Sequence, residues 1–127
     1  MADPFDSPEV LERLARLGDI CLALPESEAV AQSGLHVAFK VRGRAFVYQL
    51  VDHHGDGMVA INCKVAPGEA AELVRHGPDR FHIPAYLGSK GWVGLRLDRE
   101  EVEWDEVRAI VRYSYRALAP KRLVALV

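Results

Sequence analysis

Between His36 and Val65 three runs of residues with strand-like patterning follow one another with only a few residues between them. In the first, Val37, Phe39 and Val41 fall on one side and His36, Ala38, Lys40 and Arg42 on the other. In the third, Val59, Ile61, Cys63 and Val65 oppose Met58, Ala60, Asn62 and Lys64. A period of two is that of a strand with one buried face. The middle run, Ala45 to Val51, is apolar on both sides apart from Gln49, which predicts a more central strand or one with a second covered face. Connections this short cannot hold a crossover, so the three strands pair antiparallel as a meander. Gly43 and Arg44 are the predicted turn between the first two strands, and His53, His54, Gly55, Asp56 and Gly57 make the next one.

Helices flank this meander. Ser7, Pro8 and Glu9 read as an N-cap, a first-turn proline and a carboxylate at the positive end of a helix dipole. Val10, Leu14, Leu17, Cys21 and Leu24 then form one apolar stripe, with Glu12, Arg13, Arg16 and Asp19 on the other sides, until Pro25 ends the helix. Glu28 to Gln32 is a short candidate edge strand, and Pro67 to His76 a short helix stopped by Gly77 and Pro78. From Phe81 to Asp98 a loop punctuated by Pro84, Gly88 and Gly91 leads into a strand with Val93, Leu95 and Leu97 on one face and Trp92, Gly94 and Arg96 on the other. A last helix, from about Glu103 to Leu118, buries Val107, Ile110, Val111, Tyr115 and Leu118, and Lys121 to Val127 adds a helical turn beyond Pro120. The order predicts an α+β fold, an antiparallel sheet with helices packed on one face. Its other face is then solvated or used.

With 127 residues the chain fits one domain, residues 1–127. Its formal charge of −2 excludes an overall strongly basic nucleic-acid binder, so only a local patch can serve that purpose. Cys21 and Cys63 sit on apolar stripes without metal-ligand spacing and are expected to be buried thiols. The acidic opening, MADPFDSPEV, has no secretory pattern, and no apolar run approaches the roughly 20 residues of a membrane span. A cytoplasmic location is therefore expected, with no membrane partner.

Candidate anion-binding residues fall into two groups. Arg42, Arg44, Lys90 and Arg96, with Lys40 and Lys64, come from outward strand positions or turns, and Trp92 among them suits a nucleobase or phosphate surface. Arg108, Arg112 and Arg116 share one face of the last helix, continuing to Lys121 and Arg122, and the simpler role for them is to complement the helix C-terminus. His53, His54 and Asp56 carry metal-ligand chemistry, but two adjacent histidines converge poorly on one ion, so a solvated turn is expected. His36, His76 and His82 are isolated in sequence. No nucleophile elbow, Walker loop or His-Glu-x-x-His occurs, so no enzymatic activity is expected, and a pocket lined by convergent titratable groups would argue for one.

The stretch GLHVAFKVRGRAFVY, with Gly34, Ala38, Phe39, Val41, Gly43 and Phe46, resembles the MmcQ/YjbR family of small bacterial proteins. So do Phe81, Pro84, Tyr86-Leu87-Gly88 through Gly91-Trp92-Val93, then Ser114-Tyr115 and Ala119-Pro120-Lys121-Arg122. The chain departs from the family at His36-Val37, where relatives often have His-Pro, and at Ser89-Lys90, which keeps one basic residue where two are common. The resemblance implies a two-layer sandwich similar to frataxin (CyaY-like) and a label of DNA binding, with no catalytic residues to carry over. Frataxin-like iron binding needs a dense acidic ridge, and Glu9, Glu12 and Asp19 are diluted by Arg13 and Arg16. The expected function is thus a non-enzymatic, DNA-binding module without cofactor or metal, using Arg42, Arg44, Lys90, Trp92, Arg96, Arg112, Arg116, Lys121 and Arg122. The alternative is a protein-interaction or small-ligand module with the Trp92 surface as its contact patch. In either case a monomer or weak dimer is expected.

Overall fold

A computed structural model describes residues 4–127; Met1 to Asp3, part of the acidic opening, lie outside the described residues. In chain order the elements are α1 (Pro8–Leu22), β1 (Ser27–Ala31), β2 (Val37–Val41), β3 (Arg44–Val51), β4 (Val59–Lys64), α2 (Glu69–His76), β5 (Phe81–His82), β6 (Trp92–Arg96), α3 (Trp104–Leu118) and α4 (Lys121–Val124). The six strands form one antiparallel sheet in the order β1-β2-β3-β4-β6-β5. Helix α3 lies against β3 and β4, α1 against β1 and α3, and α2 against β5.

Sequence chemistry accounts for the helix ends. Ser7 Oγ accepts the N–H of Val10 at 3.3 Å and Pro8 takes the first helical position of α1. Leu14, Leu17 and Cys21 are buried, as their spacing predicts. Arg13, assigned by periodicity to a solvent side, instead donates to the carbonyls of Leu97 (2.7 Å), Arg99 and Glu100 (3.0 Å). It thereby pins the connection between β6 and α3 to the first helix.

The sheet register carries the core. Val47 pairs with Cys63, Ile61 with Leu95, Cys63 with Val93 and Phe81 with Leu95, so these side chains line up under the helices. Cys21 and Cys63 are both fully buried and unbridged, and burial pushes both thiols up. Between β2 and β3 the register slips at Phe39/Lys40 and leaves Phe46 as an extra residue. Phe46 and Val47 consequently both reach the core, where the Phe46 ring meets that of Tyr115 edge-on at 5.3 Å. The Tyr115 hydroxyl donates to Pro25 O at 2.7 Å, the polar tip reaching the margin of the core.

Two expectations are corrected. Val41 pairs with Arg44, so the tight turn is Arg42–Gly43, both with positive φ (50° and 78°), and Arg44 opens β3. Glycine supplies one left-handed position cheaply, and a bidentate ion pair of Arg42 to Glu26 holds the other residue in place. The two-residue β5 was not foreseen, because a run of two between Pro78 and Pro84 is too short to show a period.

At the bulge, Ser114 of α3 donates to Phe46 O at 2.6 Å and accepts the N–H of Lys64 at 2.9 Å, satisfying backbone groups on two strands at once. Ser114→Ala is expected to lower the unfolding free energy by about 1–3 kcal/mol, because a buried C=O and a part-buried N–H lose their partner together. Urea denaturation of the two chains measures this.

Candidate functional site

The sheet's second face is not simply wet. Tyr48 and Leu50 of β3, Ala60 and Asn62 of β4, and His82 of β5 line the floor of a cavity of about 510 Å³. Residues 53–58 form one side and residues 83–87 another, with Gln32 and His36 closing a third. That volume lies within the range of small-molecule sites, roughly 300–1,000 Å³. The walls are largely apolar, with Leu50, Met58, Ile83, Pro84 and Leu87 among them.

The Phe81–Asp98 stretch builds much of this cavity. Asn62 and His82 both register with Gly94, one on either side of β6, so the three lie in a row across the same sheet face. A Cβ at position 94 would run into the imidazole of His82, so glycine is what allows that ring to lie flat on the strand. Gly88 gives the same room to Ile83. Tyr86 stands at the rim with φ 65° and 78% of its surface exposed. Trp92 is only 7% exposed and packs on Tyr48, their rings 5.4 Å apart. The indole therefore buttresses the cavity wall; as an exposed contact patch it is corrected.

The polar groups distinguish this face from the core. Among the described residues three polar side chains are buried: Gln49, Ser114 and Asn62. Gln49 donates to Leu35 O at 2.7 Å and Ser114 makes its two bonds. Asn62, 2% exposed, leaves Oδ1 without any partner, and the neighbouring His82 leaves Nδ1 without one. The histidines that look isolated in sequence gather here, apart from His76: the rings of His36 and His53 are 5.4 Å apart, those of His53 and His54 4.0 Å, and His54 lies 6.4 Å from Tyr86. The 53–57 turn is thus a cavity rim as well as a solvated turn. Burial holds His82 below the ordinary imidazole value and Arg96 adds to this, against the pull of Asp56 and Asp98. His53 is lowered by burial, then by His54 and His36, with Asp56 opposing. Among the described residues no group of three or more His, Cys, Asp or Glu is placed to hold a metal ion.

The two groups of candidate anion-binding residues are not kept together as the sequence groups them. Arg42 is paired with Glu26 at 2.6 Å, with Arg122 at 3.8 Å from the same carboxylate. Arg44 donates to Leu118 O at the end of α3, near Arg116 and Lys121. The register puts Arg44, Lys64 and the Lys90 turn at one end of the sheet, and Lys64 Nζ donates to Lys90 O. Arg96 is at the opposite end, bonded by Nε and an amino group to Asp98 at 2.9 and 3.0 Å. Burial disfavours the Asp98 carboxylate, but those bonds and the Val59 N–H outweigh it and hold its pKa below the usual value. Arg112 lies in a groove between α1 and α3 with Arg16, Asp19 and Arg108. Sequence patterning missed Asn62 and His82 as site residues. The available signal was the outward set Leu50, Met58, Ala60 and Gly94, which is too apolar and small for a wet face.

Gly94→Ala is expected to expel the His82 ring from the sheet face while leaving the fold intact, and NMR titration should then find the His82 imidazole closer to its ordinary value. Because the folded chain favours neutral His53 and His82, protons are taken up more readily by the unfolded chain. Their contribution is complete above about pH 6.5 and is lost as pH falls below it. Replacing His82 by Asn should flatten that acid-side loss in urea midpoints measured across the range of about pH 5 to 8.

A search of curated proteins returned no match. The crystal structure of Deinococcus radiodurans protein DR2400, with a domain described as DUF419, superposes with a TM-score of 0.66 at 23% identity, covering 96% of this chain and 85% of that one. At that identity the likeness shows the fold alone. A family model described as YjbR matches residues 22–117, from the end of α1 through β6 and almost all of α3, and so takes in the whole cavity. The chain belongs to the YjbR family.

Proposed function

We propose that this chain is a non-enzymatic binding protein whose ligand is a small molecule seated in the cavity on the open face of the sheet. The carrying observation is Asn62, a cavity-lining residue 2% exposed as a whole, whose buried Oδ1 has no hydrogen-bond partner. A buried polar atom left without a bond costs on the order of 1–3 kcal/mol, and a bound molecule that donates to it once the carboxamide turns that oxygen toward the cavity recovers that cost. Left-handed φ at Asp52, His54 and Tyr86, all beside the cavity, adds strain of the kind that collects at ligand sites. Convergent titratable groups are present, yet no cavity-lining histidine is hydrogen-bonded to a carboxylate, and His36 Nε2 is engaged by Val51 O at 2.8 Å. A general base normally needs such an orienting partner, which favours binding over catalysis.

Asn62→Leu separates function from folding. Removing an orphaned acceptor for an apolar side chain of similar size is expected to raise the melting temperature while abolishing occupancy of the cavity. A chemically diverse fragment set followed by protein-observed NMR should shift Tyr48, Ala60, His82 and Tyr86 in the native chain and not in the variant. Lower stability of the variant, or shifts clustered away from these residues, would count against the reading.

A second reading is phosphate contact with DNA at the opposite end of the sheet, favoured by Arg44, which bonds Leu118 O at the end of α3 between Arg116 and Lys121, and by the Lys90 turn at the same end of the sheet. Binding of this kind is insensitive to sequence and falls steeply with salt. Arg44→Glu combined with Arg116→Glu should abolish low-salt duplex binding measured by fluorescence anisotropy; unchanged binding would remove this reading.

A further inference from the structure

Resting on the cavity as the ligand site, we infer that the ligand is uncharged and planar, with an N–H beside a carbonyl or ring nitrogen: a carboxamide, a lactam or a nitrogen heterocycle. It meets Asn62 and His82 with this edge and lies against the aromatic rim.

Charge is the first constraint. No Lys or Arg lines the cavity, and Asp56, its one carboxylate, is an exposed rim residue. Burial keeps His53 and His82 toward the neutral form. An anionic ligand would shed its hydration and find no cation in the lining, the nearby Arg96 being already bonded to Asp98, and a cationic one would find only the rim carboxylate.

Hydrogen bonding is the second. Asn62 Oδ1 requires a donor, and the same carboxamide carries N–H groups that require an acceptor. A donor next to an acceptor on one ligand edge complements that group in the manner of an asparagine reading an adenine edge. His82 lies two strands away, roughly 9.5 Å at the usual strand spacing, but its ring folds inward over Gly94 and brings the unpartnered Nδ1 to the same row.

Shape is the third. Gly94 leaves that row of the sheet low and Ala60 does the same in the row beside it, with Tyr48 continuing the row past Asn62 and backed by Trp92. Tyr86 and His54 approach each other at the rim with ring centroids 6.4 Å apart. A flat ring system uses such surroundings better than a branched or spherical one, because it can meet aromatic faces while keeping its polar edge on the floor.

Matched pairs of probes test the inference: nicotinamide against nicotinate, and benzamide against benzoate, each titrated at millimolar concentration into the isotope-labelled full chain. The amide of each pair is expected to shift Asn62, Gly94 and Tyr86 and to bind at least about tenfold more tightly than its carboxylate, the discrimination a site with an unpaired polar group imposes. Asn62→Leu should erase the difference within each pair. Carboxylates that bind in the cavity as well as the amides would overturn the ligand class and leave the cavity reading standing. Silence of all four probes, with a diverse fragment set also failing to land there, would overturn both.

Discussion

Every side chain of β4 from Val59 to Cys63 is buried, although a strand sends alternate side chains to opposite faces. The helices account for Val59, Ile61 and Cys63; something else must cover Ala60 and Asn62. That cover is made by the segments on either side of the short β5–β6 pair and by the turn after β3. The rest of the open face follows from this double burial. Trp92 is drawn in to support Tyr48, Gly94 is kept bare under His82, and a carboxamide that would bond water on a solvated sheet is left with an unused oxygen.

The helix-facing half of the fold was legible because its signals are local and periodic. Ser7 and Pro8 announce α1, the stripe Leu14, Leu17, Cys21 names its buried face, and the alternation through β2 and β4 assigns the core side of each strand. The bulge at Phe46 was not legible, since a single extra residue in an apolar run changes no pattern that can be counted. The turn was misplaced by one residue for a related reason. Arg42 takes a left-handed conformation that its own chemistry does not favour, and its ion pair is with Glu26, sixteen positions away.

The site was harder, because it is assembled from register. Asn62, Gly94 and His82 are far apart in sequence and meet only because three strands align them. His36 and His82 look isolated from the His53-His54 pair for the same reason. The Tyr86-Leu87-Gly88 to Gly91-Trp92-Val93 segment reads first as a family signature. In three dimensions its members have separate tasks: Tyr86 and Leu87 border the cavity, Gly88 admits Ile83, and Trp92 backs Tyr48. Conversely, the two groups of charges read from the sequence are divided between the two ends of the sheet and the α1–α3 groove, and one of them, Arg96, is occupied by Asp98.

Strand β5 ends the sheet on the cavity side and is two residues long, followed after one residue by Pro84, which has no N–H. An opening next to a long, flat sheet margin would invite another chain to continue the hydrogen-bond ladder there. Here almost no unpaired backbone is on offer, so the mouth can stay open to solvent without templating fibril-like growth.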